Sequence, residues 1–319
     1  MEEAWLPDLL GGRFAQRTLH LGSDDEGEVV ATVVRLLPSW PASWTGSLRD
    51  VDVLYVHGWS DYFFQTGLAQ WWAERGARFY ALDLRKYGRS LRPGQTPGYV
   101  SSLTEYDADI AAALSVMGRG ENPGRRLVLL GHSTGGLTLS LWAARHPGVA
   151  SALVLNSPWL EFQAGAWGRE ALSPLVAARA RWDPLGTHPV VDLGFYTRAQ
   201  REVGTLPDSP DGWRPERGFP TRPGWLKAVL DGHDTVARGI EVGCPALVLL
   251  SKRSSSPLSW RPEMIETDSV LVVDDIARAA TRLGRLVTIA RIEGALHDVF
   301  LSRQPARDES YRVMAEWMR

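Results

Sequence analysis

Short apolar runs, each ending at a glycine or a polar residue, punctuate the first half of the chain. They are Val51–Val56, Arg78–Leu82, Arg126–Leu130 and Ala150–Leu155. Between them Phe64–Arg75, Leu103–Met117 and Leu137–Arg145 carry helical spacing. Nearly continuous apolar strands alternating with helices predict a mostly parallel sheet covered on both faces. A hairpin is expected ahead of it, Phe14–Leu21 and Glu28–Leu37 joined by the turn cluster Ser23–Gly27, followed by a loop over Pro38–Asp50. The alternation lapses from Ser157 to Val242. There two helical patches, Glu170–Arg181 and Val191–Val203, accompany a stretch around 208–220 rich in Pro, Gly and Trp. The strand pattern resumes at Ala246–Leu250 and Leu286–Ile292, with a helix expected over Ile276–Leu283. The expected organisation is an α/β core made of 1–156 and 243–319, with 157–242 inserted as a cap at the carboxyl edge of the sheet.

Composition narrows the function classes. In 319 residues, Lys+Arg 35 against Asp+Glu 37 leave a net charge of -2, without the basic excess that nucleic-acid or anionic-lipid binding asks for. Cys244 is the single cysteine, so no internal disulfide is possible, and no Cys/His cluster has zinc spacing. The start, Met1-Glu2-Glu3-Ala4-Trp5, has neither a basic nor an apolar leader region. No apolar run reaches the roughly 18 residues of a membrane span. The expectation is a soluble, cytoplasmic protein acting on a small molecule, with no metal, no cofactor and no nucleic-acid partner.

In parallel sheets ligands bind beyond the carboxyl ends of the strands. That singles out His57-Gly58-Trp59, Asp83, Ser133 and Asn156. Ser133 lies in Gly131-His-Ser-Thr-Gly-Gly136, a G-x-S-x-G pattern between an apolar run and a helix, the context in which a sharp turn presents a serine nucleophile. A serine hydroxyl needs a base. His297, just after the last apolar run, stands at the same sheet end; His20, His146, His188 and His233 fall elsewhere, and His57 and His132 adjoin backbone they help shape. The base needs a carboxylate to fix its tautomer, and in this chain order the acid falls between serine and histidine. Asp268 is the first aspartate after the run ending at Leu250, with Glu263 and Asp274 as fallbacks. Asp274 and Asp275 read as acids opening a helix, and Asp298 as too close to His297 to face it. The N–H groups of Thr134 and Trp59 are the candidate oxyanion donors.

These residues, together with Asp83-Leu-Arg-Lys-Tyr-Gly-Arg-Ser90 and Gly294-Ala-Leu-His297, make the sequence resemble the α/β-hydrolase superfamily, and within it the monoacylglycerol lipase/lysophospholipase group, also described as serine aminopeptidase-like hydrolases. The resemblance implies an α/β-hydrolase fold and a triad of Ser133, Asp268 and His297. It also implies oxyanion donors at Trp59 and Thr134 and a mainly architectural role for Asp83–Ser90. The implied activity is a serine carboxylic-ester hydrolase acting on an acylglycerol, lysophospholipid or other small acyl ester. Trp159, Trp167 and Tyr196, with Phe162, Trp182 and Phe195, are the cap aromatics expected to line the acyl pocket. Two other outcomes are an aminopeptidase or amidase, which needs a cap acid such as Glu161, Glu170 or Asp192 to hold an amine, and a non-catalytic binding protein on the same fold. The stretch from Ser251 to Asp268 is longer than is usual in the group, and the residue after His57-Gly58 is a bulky tryptophan.

Overall fold

The structure, a computed structural model, describes residues 4–119, 124–163, 165–187 and 192–319. Met1 to Glu3, His188 and Val191 lie outside the described residues. The first elements in chain order are β1 (Leu6–Pro7), β2 (Ala15–Asp24), β3 (Gly27–Leu36), α1 (Trp40–Thr45), β4 (Val51–Val56), α2 (Thr66–Glu74), β5 (Arg78–Asp83) and α3 (Tyr106–Val116). Then come β6 (Arg126–His132), α4 (Thr134–Arg145), β7 (Ala152–Asn156), α5 (Gly165–Trp182), α6 (Phe195–Val203) and α7 (Pro223–Ala237). The chain closes with β8 (Ala246–Ser251), α8 (Val273–Ala280), β9 (Val287–Ile292) and α9 (Gln304–Trp317).

Among the described residues the strands form one sheet in the order β1-β2-β3-β5-β4-β6-β7-β8-β9. The pairings β1/β2, β2/β3 and β3/β5 are antiparallel, and every other pairing is parallel. The apolar runs are continuous because the sheet has two cores. In β4, Val51, Val53 and Tyr55 enter the core shared with Leu68 and Trp72 of α2 and Met314 of α9, while Leu54 and Val56 enter the core shared with Ile110 of α3 and Leu137 of α4. The same alternation runs through β6, with Val128 and Leu130 on the first side and Leu127 and Leu129 on the second. Side chains of a strand alternate between faces, so a strand covered on both sides reads as unbroken hydrophobicity.

Three helices were not evident from the pattern. α1 lies in the expected loop after the hairpin, and α9 buries only Ala306, Ser310 and Met314, a thin stripe on a polar helix. α7 opens with Pro223-Gly224, which reads as a loop, yet proline suits the first helical turn, where its missing N–H would have no partner. This helix sits inside the expected 157–242 insertion, but it places Trp225, Val229 and Val236 in the same core as Leu103, Leu137 and Leu141. By its packing α7 belongs to the helical layer of the body, and the connection before it sends Phe219 into the same core. Among the described residues no helix is long and apolar enough to cross a membrane.

The Asp83–Ser90 segment holds the turn after β4 to the rest. Asp83 accepts from the Phe63 N–H at 2.8 Å and from Arg89 at 2.9 Å. The Arg89 fork also donates to both oxygens of Asp8, at 2.6 and 2.8 Å, and to the Phe63 carbonyl at 3.1 Å, with its side chain only 3% exposed. Removing one member of such a buried set leaves the others uncompensated. Arg89→Met is expected to lower unfolding free energy by about 3–5 kcal/mol, measured by urea denaturation, and a loss within about 0.5 kcal/mol, the scatter of an ordinary surface substitution, would show that the pair does not hold the N-terminal segment down.

Candidate active site

Ser133 is the single residue between β6 and α4. Its backbone has φ 52° and ψ -118°, a region that costs a residue with a side chain on the order of 1–3 kcal/mol. Its surroundings enforce that geometry. The Ser133 N–H donates to the Asn156 carbonyl at 3.0 Å, and the Ser133 carbonyl accepts from the Trp159 N–H at 2.9 Å. A Cβ on Gly131 would stand 2.7 Å from the Gly136 nitrogen, and one on Gly135 2.3 Å from the His57 carbonyl oxygen. Only glycine fits at those two positions: Gly131 makes room for the start of α4, and Gly135 for the end of β4. The result is a largely buried Ser133 at the carboxyl end of the sheet and at the N-terminus of α4.

The chain leaves β8 at Ser251 and makes an excursion before it returns to the sheet. Asp268 N–H donates to the Arg253 carbonyl at 3.0 Å and its own carbonyl accepts from Ser255 N–H at 2.9 Å, a short parallel bridge with Ser254. The long Ser251–Asp268 stretch thus closes on itself and sets Asp268 beside Ser254, just beyond the end of β8. Asp268 is fully buried. Its Oδ1 accepts from the N–H groups of Val270 and Leu271, both at 2.8 Å, and its Oδ2 accepts from His297 Nδ1 at 2.9 Å. With Nδ1–H donating, Nε2 of His297 is left as the proton acceptor. The fallback acids stand apart: Asp274 is 68% exposed and pairs with Arg291, and Glu263, 52% exposed, lies near Arg261.

The loop bearing His297 is fastened by its neighbour. Asp298 accepts from Asn156 Nδ2 at 2.7 Å, from Phe300 N–H at 3.0 Å and from Gln65 Nε2 at 3.3 Å, while Asn156 Oδ1 accepts from Val299 N–H at 3.1 Å. Asn156 was marked in the sequence by its place after β7. Gln65 carried no local signal, because its partner is 233 residues away.

His57 and His132 are both neutral. His57 donates from Nδ1 to the Gly58 carbonyl at 2.8 Å and accepts at Nε2 from Leu84 N–H at 3.1 Å, and burial lowers its pKa. His132 donates to the Asn156 carbonyl at 3.2 Å, its ring centroid is 4.9 Å from that of His297, and burial pushes it down to about 4. The turn after β4 closes on the serine: a Cβ on Gly58 would stand 2.9 Å from Ser133 Cβ. The Trp59 N–H has no acceptor among the described residues. Thr134 heads α4, where backbone N–H groups lack helical partners.

Aromatic rings close over this region. Trp59 lies against Trp225 of α7 with centroids 3.6 Å apart, Trp159 is 6.1 Å from Trp225, and Tyr196 of α6 meets the His297 ring edge-on at 5.4 Å. Trp167 does not join them. It is 83% exposed on α5, as Trp182 is at 85%. Phe195 packs on Trp260 instead, and Phe162 packs against the core beneath the sheet's helices. Two surface clefts of about 550 and 480 Å³ lie elsewhere, one beside Trp71 and Tyr311 and one beside Arg169 and Arg278; neither is lined by Ser133 or His297. No group of three or more His, Cys, Asp or Glu that could hold a metal ion stands together among the described residues.

A mostly parallel sheet with an antiparallel leading hairpin and a strained serine turn after a central strand is the α/β-hydrolase architecture. Residues 49–304 match the family model described as serine aminopeptidase, S33, and the chain belongs to that family. It is also similar to a monoacylglycerol lipase of Mycolicibacterium smegmatis, 30% identical over 130 residues, a stretch that covers 40% of this chain and 43% of that relative. Among solved structures, a monoacylglycerol lipase from Paleococcus ferrophilus superposes with a TM-score of 0.63 at 19% identity, covering 96% of this chain and 98% of the other. A soluble variant of the monoglyceride lipase from Saccharomyces cerevisiae gives a TM-score of 0.67 at 13% identity, covering 95% and 94%. At these identities the superpositions speak for the fold.

One titration follows from the packing around Trp159. His233 on α7 is fully buried, donates from Nε2 to the Trp159 carbonyl at 2.9 Å, and has no partner at Nδ1 among the described residues. Burial pushes it down to about 4, with Glu161 opposing and Arg169 adding to the shift. The unfolded chain then binds a proton at His233 between roughly pH 6.5 and 4 that the folded chain refuses, so stability from this group is present above that window and lost as pH falls through it. In thermal denaturation from pH 7 to 4.5, His233→Gln is expected to lose less Tm than the parent protein; parallel curves would show that the buried ring takes up its proton at the ordinary pH.

Proposed function

We propose that the protein is a serine hydrolase of carboxylic esters, with Ser133 as nucleophile, His297 as base and Asp268 as the acid that orients it. The observation that carries this reading is the 2.9 Å contact between His297 Nδ1 and Asp268 Oδ2, both groups buried, on loops at the sheet end where Ser133 occupies its strained turn. In the reaction Ser133 Oγ attacks the acyl carbon while His297 Nε2 takes its proton. Asp268 stabilises the imidazolium that forms. The developing oxyanion is met by the N–H groups of Trp59 and Thr134, donors each worth about 10²–10³ in rate. Collapse expels the alcohol, protonated by His297, and water then clears the acyl-enzyme by the same steps in reverse. Both ring nitrogens of His57 are taken by backbone partners, whereas His297 has a carboxylate on Nδ1 to stabilise the transient positive charge.

The similarity to monoacylglycerol lipases supports an acylglycerol or other small acyl ester as substrate. The segment 157–222, without α7, is the cap in this reading, and Trp159 and Tyr196, with Trp59 and Trp225, form the walls an acyl group would meet. Trp167 and Trp182 face solvent and take no part in those walls. An aminopeptidase would need an acid free to hold an amine. Glu161 instead accepts from Arg169 at 2.8 Å, Asp192 caps the Gly194 N–H at 2.7 Å, and Glu170 lies on the exposed side of α5.

Hydrolysis of p-nitrophenyl esters from acetate to palmitate, beside an alanine arylamide, tests the reaction. Ester turnover that disappears in Ser133→Ala is expected; arylamide turnover in its place would make the enzyme an amidase, and the absence of both, with no labelling by a fluorophosphonate, would remove the enzyme reading. Ser133→Ala and His297→Ala should each cost about 10⁶ in kcat, and the double variant little more, because the groups act as a unit. Asp268→Asn should cost about 10⁴ with the fold intact; if Asp274→Asn has that effect instead, the acid is misassigned.

A further inference from the structure

Between α6 and α7 the chain crosses above the turn that follows β4, and one cation at this crossing touches both sides of the candidate site. Arg214 donates from Nε to Asp61 Oδ1 at 3.1 Å, with the two side chains 6% and 8% exposed. It also donates from Nη2 to Gln200 Oε1 on α6. Gln200 is fully buried and donates from Nε2 to the Tyr196 hydroxyl at 3.0 Å, and Tyr196 is the residue whose ring meets His297 edge-on. Asp61 in turn lies two residues from Trp59. Further ties join the same two segments: Phe219 N–H donates to Ser60 Oγ at 3.0 Å, and the Tyr62 hydroxyl donates to Ser209 Oγ at 2.9 Å. The turn needs holding, because Ser60 stands at φ 55°, left-handed backbone that a serine adopts at a cost.

We propose that Arg214 is a positioning residue, one buried guanidinium that sets the turn carrying the Trp59 N–H and the helix carrying Tyr196 against His297 in a single arrangement. This rests on the reading of Ser133, His297 and Asp268 as a serine-hydrolase triad. A buried ion pair is a poor source of stability, since apolar residues of similar volume fill the same space at no greater cost. What the pair supplies is direction. A guanidinium presents N–H groups in a rigid planar fork, so Asp61 and Gln200 are held at a fixed angle to each other, which an ammonium on a flexible stem does not do. Burial pushes Asp61 up to about 7 even with Arg214 opposing it, and losing the guanidinium would raise it further. An oxyanion donor acts on charge that exists only in the transition state, so its misplacement lowers kcat and leaves KM nearly unchanged.

The test compares the parent protein with Arg214→Met, Arg214→Lys and the double variant Asp61→Leu/Arg214→Met, which carries no unpaired buried charge and so keeps the fold. In the double variant Tm should stay close to the parent's, while kcat on a p-nitrophenyl ester falls about 10- to 100-fold with KM within about twofold. Arg214→Lys should recover little of the loss. Hydrogen exchange should quicken at the backbone amides of 58–64 and of α6 in both methionine variants. Wild-type kcat in the folded double variant, or full rescue by lysine, overturns the proposal, as does unchanged exchange in both segments. Failure of the triad reading is seen separately, as ester turnover that survives Ser133→Ala in an otherwise unaltered protein. In that case quickened exchange would leave Arg214 as a tie between cap and turn with no part in positioning an oxyanion donor.

Discussion

Everything at the candidate site hangs on how closely the turn between β6 and α4 approaches the end of β4. The missing Cβ of Gly135 would lie 2.3 Å from the His57 carbonyl oxygen, and the missing Cβ of Gly58 2.9 Å from Ser133 Cβ. Those two absences allow the end of β4 and the turn between β6 and α4 to meet where ordinary side chains would hold them apart. Ser133 is then forced to a backbone conformation it does not favour, and hydrogen bonds to the Asn156 carbonyl and from the Trp159 N–H keep it there. The strain is tolerated because β4, β6 and β7, buried on both faces, cannot shift to relieve it.

A second layer of buried polar groups does for the loops what the glycines do for the turns. Asp298 ties the His297 loop to Asn156 at the end of β7 and to Gln65 before α2. Asp83 ties the turn after β4 to Arg89, and through it to Asp8. Each of these carboxylates is fully or nearly fully buried, so its partners are obligatory. The outcome is that residues from distant parts of the chain converge on one sheet edge with little freedom to drift.

The cap is held differently. α7 shares the body's core, whereas α5 leaves Trp167, Leu175 and Trp182 in solvent at 83%, 69% and 85% exposure. α6 and the segment after it are joined to the body by polar contacts from Arg214, Ser209 and the Phe219 N–H, by the ring of Tyr196 on His297, and by the Phe219 and Trp213 rings packed on Trp59 and Tyr62.

The α/β alternation, the parallel sheet and the place of Ser133 were legible in the sequence because they depend on short-range regularities: strands covered on both faces must be apolar throughout, and a turn that tight must have glycine at 131 and 135. His297 was legible for the same reason, as the residue after the last strand. Asp268 was reached by chain order, but that it, and not Glu263 or Asp274, meets the histidine was decided by the return of the 252–267 excursion to pair with Arg253 and Ser255. α7 was hidden because its opening Pro-Gly has the same composition as a loop and only contact with Leu137 and Leu141 reveals it as part of the body. The split among the cap tryptophans was equally undecided by sequence. Trp159 and Trp167 are alike in composition and local spacing, and one is buried beside Ser133 while the other is solvated. Local sequence determines which backbone conformations are affordable; which side chains meet is set by contacts between segments far apart in the chain, and only the folded structure brings those together.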